Sequence, residues 1–168
     1  MIAIRCTKKL LERIGAPSPV TAPTTAILGD WYARPVAVSH QRLILLISEH
    51  SRLPVVMPAR DVRHLATNFP EALSLVLLGL ALPPSVVERE VAETREAVIA
   101  QTNNRSLLGT LNDFSYLLAG YMENAPELGL VDLALLVSRA PVAPLGMNSP
   151  DMVTRDLLAQ SREEWHSG

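Results

Sequence analysis

The sequence predicts an α+β domain, a small antiparallel sheet of about three to four strands packed against a mostly helical C-terminal two-thirds. Two patterns carry that expectation. Short apolar or alternating runs, bounded by turn residues, fall within residues 1–58, whereas from residue 59 onward apolar residues recur at spacings of three and four. A third observation sets the scale: 168 residues, 48% of them hydrophobic, suit one domain spanning 1–168 with one core.

Ile2 to Arg5 is short and apolar and fits a strand that can join the sheet at its edge. Thr7 can cap a helix running to about Ile14, and Gly15 is a natural stop. Prolines 17, 19 and 23 make 16–26 a linker-like loop. Gly29 opens a strand pattern from Trp31 to Val38, and the polar tetrad Ser39-His40-Gln41-Arg42 reads as a turn. Leu43 to Ile47 is apolar at every position, as in a strand buried on both faces, and Leu53 to Met57 follows after a turn at His50 to Arg52. The remainder, 59–168, reads as helical: Asp61 to Thr67, Pro70 to Leu82, a helix from the Ser85-Val86-Val87-Glu88 capping box to the break at Thr102-Asn103-Asn104, one carrying Leu107, Leu111, Phe114, Leu118 and Tyr121, the apolar segment Leu130 to Val137, and Pro150 to about Glu164 with Ser149 as its cap.

Composition excludes several classes. The single cysteine, Cys6, forms no intramolecular disulfide and no thiolate metal cluster, which favours a reducing compartment. The first residues lack the three regions of a signal peptide, and the apolar run Leu73 to Leu82 is about half the length of a membrane span. A cytoplasmic protein with no membrane contact is the expectation. There is no GxSxG, Walker loop, GxGxxG or HExxH, so hydrolase, NTPase, dinucleotide and zinc-protease readings have no motif; no metal and no cofactor is expected. Charge is lopsided: residues 1–64 carry nine Lys and Arg against four acids, the remainder six against thirteen. Such asymmetry is compatible with an anionic ligand on one side, with head-to-tail association into a homo-oligomer, or with ordinary solvated surface.

Several segments resemble a known family: Ile4-Arg5-Cys6-Thr7-Lys8-Lys9-Leu10-Leu11, Leu28-Gly29-Asp30-Trp31-Tyr32-Ala33, Thr102-Asn103-Asn104-Arg105-Ser106-Leu107-Leu108-Gly109 running on to Asn112-Asp113, and more weakly Pro144-Leu145-Gly146 with Ser149-Pro150. The chain is similar, over nearly its whole length, to an uncharacterised bacterial domain family of unknown function. The resemblance implies a bacterial or mobile-element origin. It brings no activity and no catalytic residue.

The leading candidate ligand site is the helix start at Asn103, Asn104 and Arg105. A helix N-terminus offers unpaired N–H groups and a partial positive charge, so a cation in its first turn points to an anion. Arg105, Gly109 and Asn112 share one face, with Asp113 on the next, and Gly109 is expected to admit a close neighbour or ligand. Against this, Asn is an ordinary N-cap and Arg105 can pair with Asp30 or Asp113. Asp30 and Trp31 form a second candidate, a pocket wall or, more commonly, a core anchor. His40, His50 and His64 lie in the basic part and could supply acid–base groups, though predicted turns solvate them. Glu88, Glu90, Glu93 and Glu96 read as the solvated face of one helix. The function expected is a non-enzymatic binding or accessory protein that recognises a partner protein or a phosphate-containing ligand. The alternative is a small metal-independent ribonuclease or toxin-like protein of a mobile element.

Overall fold

The computed structural model describes residues 1–167, the side chain of Asp61 excepted. Five strands form one mixed sheet: β1 (Ile2–Cys6), β2 (Trp31–Val38), β3 (Gln41–Ser48), β4 (Pro54–Pro58) and β5 (Ala97–Gln101), in the order β4-β3-β2-β1-β5. The expected meander is there, since β2, β3 and β4 are antiparallel neighbours, with Leu45 of β3 facing Arg34 on one side and Val56 on the other. Leu43 to Ile47 is buried throughout, as a central strand covered on both faces must be.

The expectation of three to four antiparallel strands is corrected in two ways. β1 is not an edge strand; it runs parallel to β2 and to β5 and lies between them. β5 occupies residues expected to continue a helix. The helix α3 (Pro84–Glu93) ends where the Thr94 hydroxyl donates to Val91 O at 2.7 Å, and the chain then turns into the sheet. Its start also differs: Val86 and Val87 N–H donate to Pro83 O, with Pro84 in the first turn and no side-chain cap from Ser85.

The other helices are α1 (Lys8–Ile14), α2 (Leu65–Gly79), α4 (Arg105–Asn124), α5 (Leu130–Val137) and α6 (Pro150–Ser167). A 3₁₀ turn, Ala59–His64, replaces the short helix expected there, and α2 runs through the buried Pro70. α2 brings Phe69 edge-on to Trp31, ring centroids 4.8 Å apart at 61°, and both side chains are fully buried. α4 covers β2 and β3, while α5 packs on β4 between α2 and α4. No helix among the described residues is long and apolar enough to cross a membrane.

The 16–26 loop is held rather than loose. Ser18 N–H donates to Ile99 O at 2.8 Å on the outer edge of β5, which shields that edge, and Thr25 N–H donates to Met1 O at 3.0 Å. Beyond the loop, the Glu90 carboxylate accepts the N–H groups of Leu28 (2.9 Å) and Ile27 (3.1 Å). Glu90 is 2% exposed, so it does not belong to the solvated face assigned to it; Glu88 does, while Glu96 is exposed but lies beyond the end of α3. Gly29, with φ +83°, then turns into β2 where an added Cβ would stand 2.9 Å from Glu49 Cβ.

One mismatch of strand lengths matters for function. β1 ends at Cys6, opposite Ala33, whereas β2 continues to Val38. Thr7 N–H donates to Ala33 O, and past that bond β2 has β3 on one side and no strand on the other.

Candidate anion-binding groove

The unpaired length of β2 is the floor of a groove of about 950 Å³. Arg34 to Ala37 lie along the floor, with Arg42 and Leu43 from β3. α1 supplies one wall through Lys8, Lys9 and Arg13, and α4 supplies the other through Leu108, Leu111, Asn112, Ser115, Tyr116 and Ala119. Five cations therefore line it, and none of the described lining residues is a carboxylate. None of the five makes an ion pair with a described residue. Arg34 is held across the floor, its Nε donating to Pro35 O (3.4 Å) and its Nη1 to Asn112 Oδ1 (3.3 Å). Tyr116 stands on the rim, 75% exposed. Like charges gathered this way repel one another, a standing cost that an anion between them would remove.

A second polar cluster sits under the start of α4. Asp30 is 7% exposed and accepts both Ala3 N–H (2.9 Å) and Arg5 Nε (3.2 Å), while Arg5 Nη1 donates to Gln101 O. The Tyr32 hydroxyl donates to Asn103 Oδ1, and burial pushes the phenol above its ordinary pKa. Arg52, 8% exposed with φ +61°, donates through Nη2 to Ser106 Oγ at 3.1 Å, while its Nε and Nη1 are buried without a partner. Burial lowers the Arg52 pKa, and the surrounding Tyr32 and Glu49 oppose that shift. Two side chains, Tyr32 from β2 and Arg52 from the β3–β4 turn, thus tie the start of α4 to the sheet.

The sequence-predicted residues are dispersed across these two places. Asn104 caps α4 by accepting Leu107 N–H (3.1 Å), and Asn103 is held by Tyr32, so both serve the local structure. Arg105 and Asp113 are exposed, and no ion pair joins Arg105 to Asp30 or Asp113; Asp30 belongs to Arg5. Trp31 is wholly buried and lines no pocket among those described. Asn112 alone of the set lines the groove. Gly109 meets nothing within 4 Å of an added Cβ, so no close approach explains it. None of His40, His50 and His64 lines the groove; His50 instead sets Nδ1 2.9 Å from Ile27 O and Nε2 3.0 Å from Glu49 Oε1. Cys6 is fully buried, its pKa pushed up to about 12 by that burial, which makes it a structural thiol. Lys8, Lys9, Arg13, Arg34 and Arg42 were legible only as a basic excess in the first part of the chain, and no sequence signal singled out Tyr116.

No curated protein and no solved structure matches the chain. A family model does, over residues 3–153. By that match the chain belongs to the family described as Domain of unknown function (DUF6933).

Proposed function

We propose that this protein is a non-enzymatic binding protein whose β2-edge groove receives an anionic partner. The observation that carries the reading is the set Lys8, Lys9, Arg13, Arg34 and Arg42 around one groove with no described carboxylate among its lining residues. Surface cations are ordinarily interleaved with acids, and this chain has more acids than bases overall, 17 against 15, so their local exclusion is selective. The ribonuclease alternative needs a general base within hydrogen-bond reach of a bound phosphate, and the three histidines expected to supply one lie outside the groove lining.

The test uses fluorescein-labelled inorganic polyphosphate, followed by anisotropy at low salt. Saturable binding by the wild type, lost in a Lys8→Gln/Lys9→Gln/Arg34→Gln/Arg42→Gln variant that unfolds at the wild-type urea midpoint, supports the reading. Absence of binding, or binding indifferent to those four substitutions, contradicts it.

A further inference from the structure

We infer, building on the anionic-partner reading, that the groove's ligand is a single-stranded nucleic acid, with Tyr116 stacking on a base. The first reason is the spread of the cations. Lys8 and Arg13 are five residues apart on α1, about 8 Å of helix rise. Arg42 pairs with Ala37, so it lies three residues along and one strand across from Arg34, roughly 11 Å away. These are backbone spacings, and Arg42 shares the sheet face of Ala37 while Arg34, three residues away on β2, takes the other face. One phosphate therefore does not meet the whole set, whereas a chain of phosphodiesters can meet its members in sequence.

The second reason excludes the simplest acidic-peptide mode, addition of a strand to the open β2 edge. Backbone groups alternate along a strand, and Ala33 points its carbonyl toward the β1 side. Pro35 and Ala37 follow it on that side. Pro35 has no N–H, and its carbonyl already accepts Arg34 Nε. The edge therefore offers a strand little beyond Ala37, a blunting device used against such pairing. The third reason is the rim. Tyr116 is exposed, with Asn112 and Ser115 beside it in the lining, which gives an aromatic face and hydrogen-bonding groups next to the phosphate contacts. A flat ring beside a cationic track is the arrangement that holds unpaired bases, and it has nothing to stack on in a duplex whose bases are already paired.

The experiment measures anisotropy of labelled twelve-residue oligo-dT and oligo-rU, an abasic twelve-residue strand, a duplex of equal length and a poly-aspartate peptide. Five phosphate contacts give a salt slope of about −3.5 for a single strand, so affinity for oligo-dT or oligo-rU should fall roughly 100-fold between 50 and 200 mM salt. Arg34→Gln/Arg42→Gln should reduce that fall to roughly 20-fold. Tyr116→Ala should weaken oligonucleotide binding about 5- to 150-fold and leave the abasic strand unchanged, while Tyr116→Phe should retain the wild-type affinity. The ratio of oligo-dT to oligo-rU affinity assigns the strand to DNA or RNA. Equal binding of the abasic strand and the oligonucleotides, an unaffected Tyr116→Ala variant, or tighter binding of duplex or poly-aspartate would each overturn the inference. Those outcomes leave the anionic-partner reading standing, since that is contradicted by polyphosphate failing to bind or binding regardless of the groove cations.

Discussion

Glu90→Gln probes how the loop before β2 is anchored. The carboxylate is 2% exposed, and each of its oxygens accepts a backbone N–H, one from Leu28 and one from Ile27. Glutamine retains one acceptor oxygen; its NH₂ group then faces the other N–H, donor against donor. A hydrogen bond to a charged group contributes about 1.5–3 kcal/mol, and an orphaned buried donor costs about 1–3 kcal/mol. Removing the charge recovers part of its desolvation cost. The net expectation is a loss of about 1–3 kcal/mol in urea unfolding, or roughly 2–10 °C in Tm for a chain of this size. The pH dependence is a separate check. Burial raises the Glu90 pKa, and the two backbone N–H groups oppose this without cancelling it. The folded state thus holds more protons than the unfolded state at pH values above the ordinary glutamate range, and this group's contribution to stability falls as pH rises through that window. Glutamine has no such dependence, so the wild-type advantage should be larger near pH 4 than at pH 8. A variant within 0.5 kcal/mol of wild type at neutral pH, or a gap that widens with pH, would refute the reasoning.

Three further substitutions test the packing. Trp31→Ala should cost about 3–5 kcal/mol, because the indole is fully buried against Phe69; in a Trp165→Phe background the remaining Trp31 fluorescence should resist acrylamide, and ready quenching would contradict the core assignment. Gly29→Ala should destabilise by roughly 1–3 kcal/mol, read from the denaturant midpoint, since φ is +83° and the added Cβ would press on Glu49. Gly109→Ala should stabilise by about 0.5–1 kcal/mol, because the position is helical and open; a loss there would reveal a contact the fold does not account for.

Local signals read well in this sequence. The all-apolar run Leu43–Ile47 became a central strand and Asn104 became a side-chain cap. Of the turn expected at Ser39-His40-Gln41-Arg42 only Ser39-His40 turns, since Gln41 and Arg42 already belong to β3, and the turn expected at His50 to Arg52 starts at Glu49. β5 was hidden for a physical reason. Val87, Val91, Thr94 and Val98 are spaced by four, three and four, so a helical stripe extends across the boundary without a glycine or proline to break it. What ends the helix is the Thr94 hydroxyl and a parallel partner, β1, more than ninety residues away in sequence, which no local pattern encodes. Glu90 was misplaced similarly: its neighbours suggest a wet face, and only the returning loop at Ile27-Leu28 buries it. The groove is likewise non-local. Its cations come from α1, β2 and β3, and they meet because β1 stops short of β2. In the sequence they appear only as a basic excess, whereas Asn103-Asn104-Arg105 stood out because it is contiguous.

The most direct test of the central claim is to locate the anion on the molecule. A ¹H–¹⁵N correlation titration of the wild-type chain with inorganic polyphosphate at low salt reports every backbone amide at once. The groove predicts perturbations concentrated at residues 7–13, 34–43 and 108–119, diminishing as salt is added. Perturbations centred instead on Asn103 to Ser106, or scattered over the surface without saturating, would contradict it.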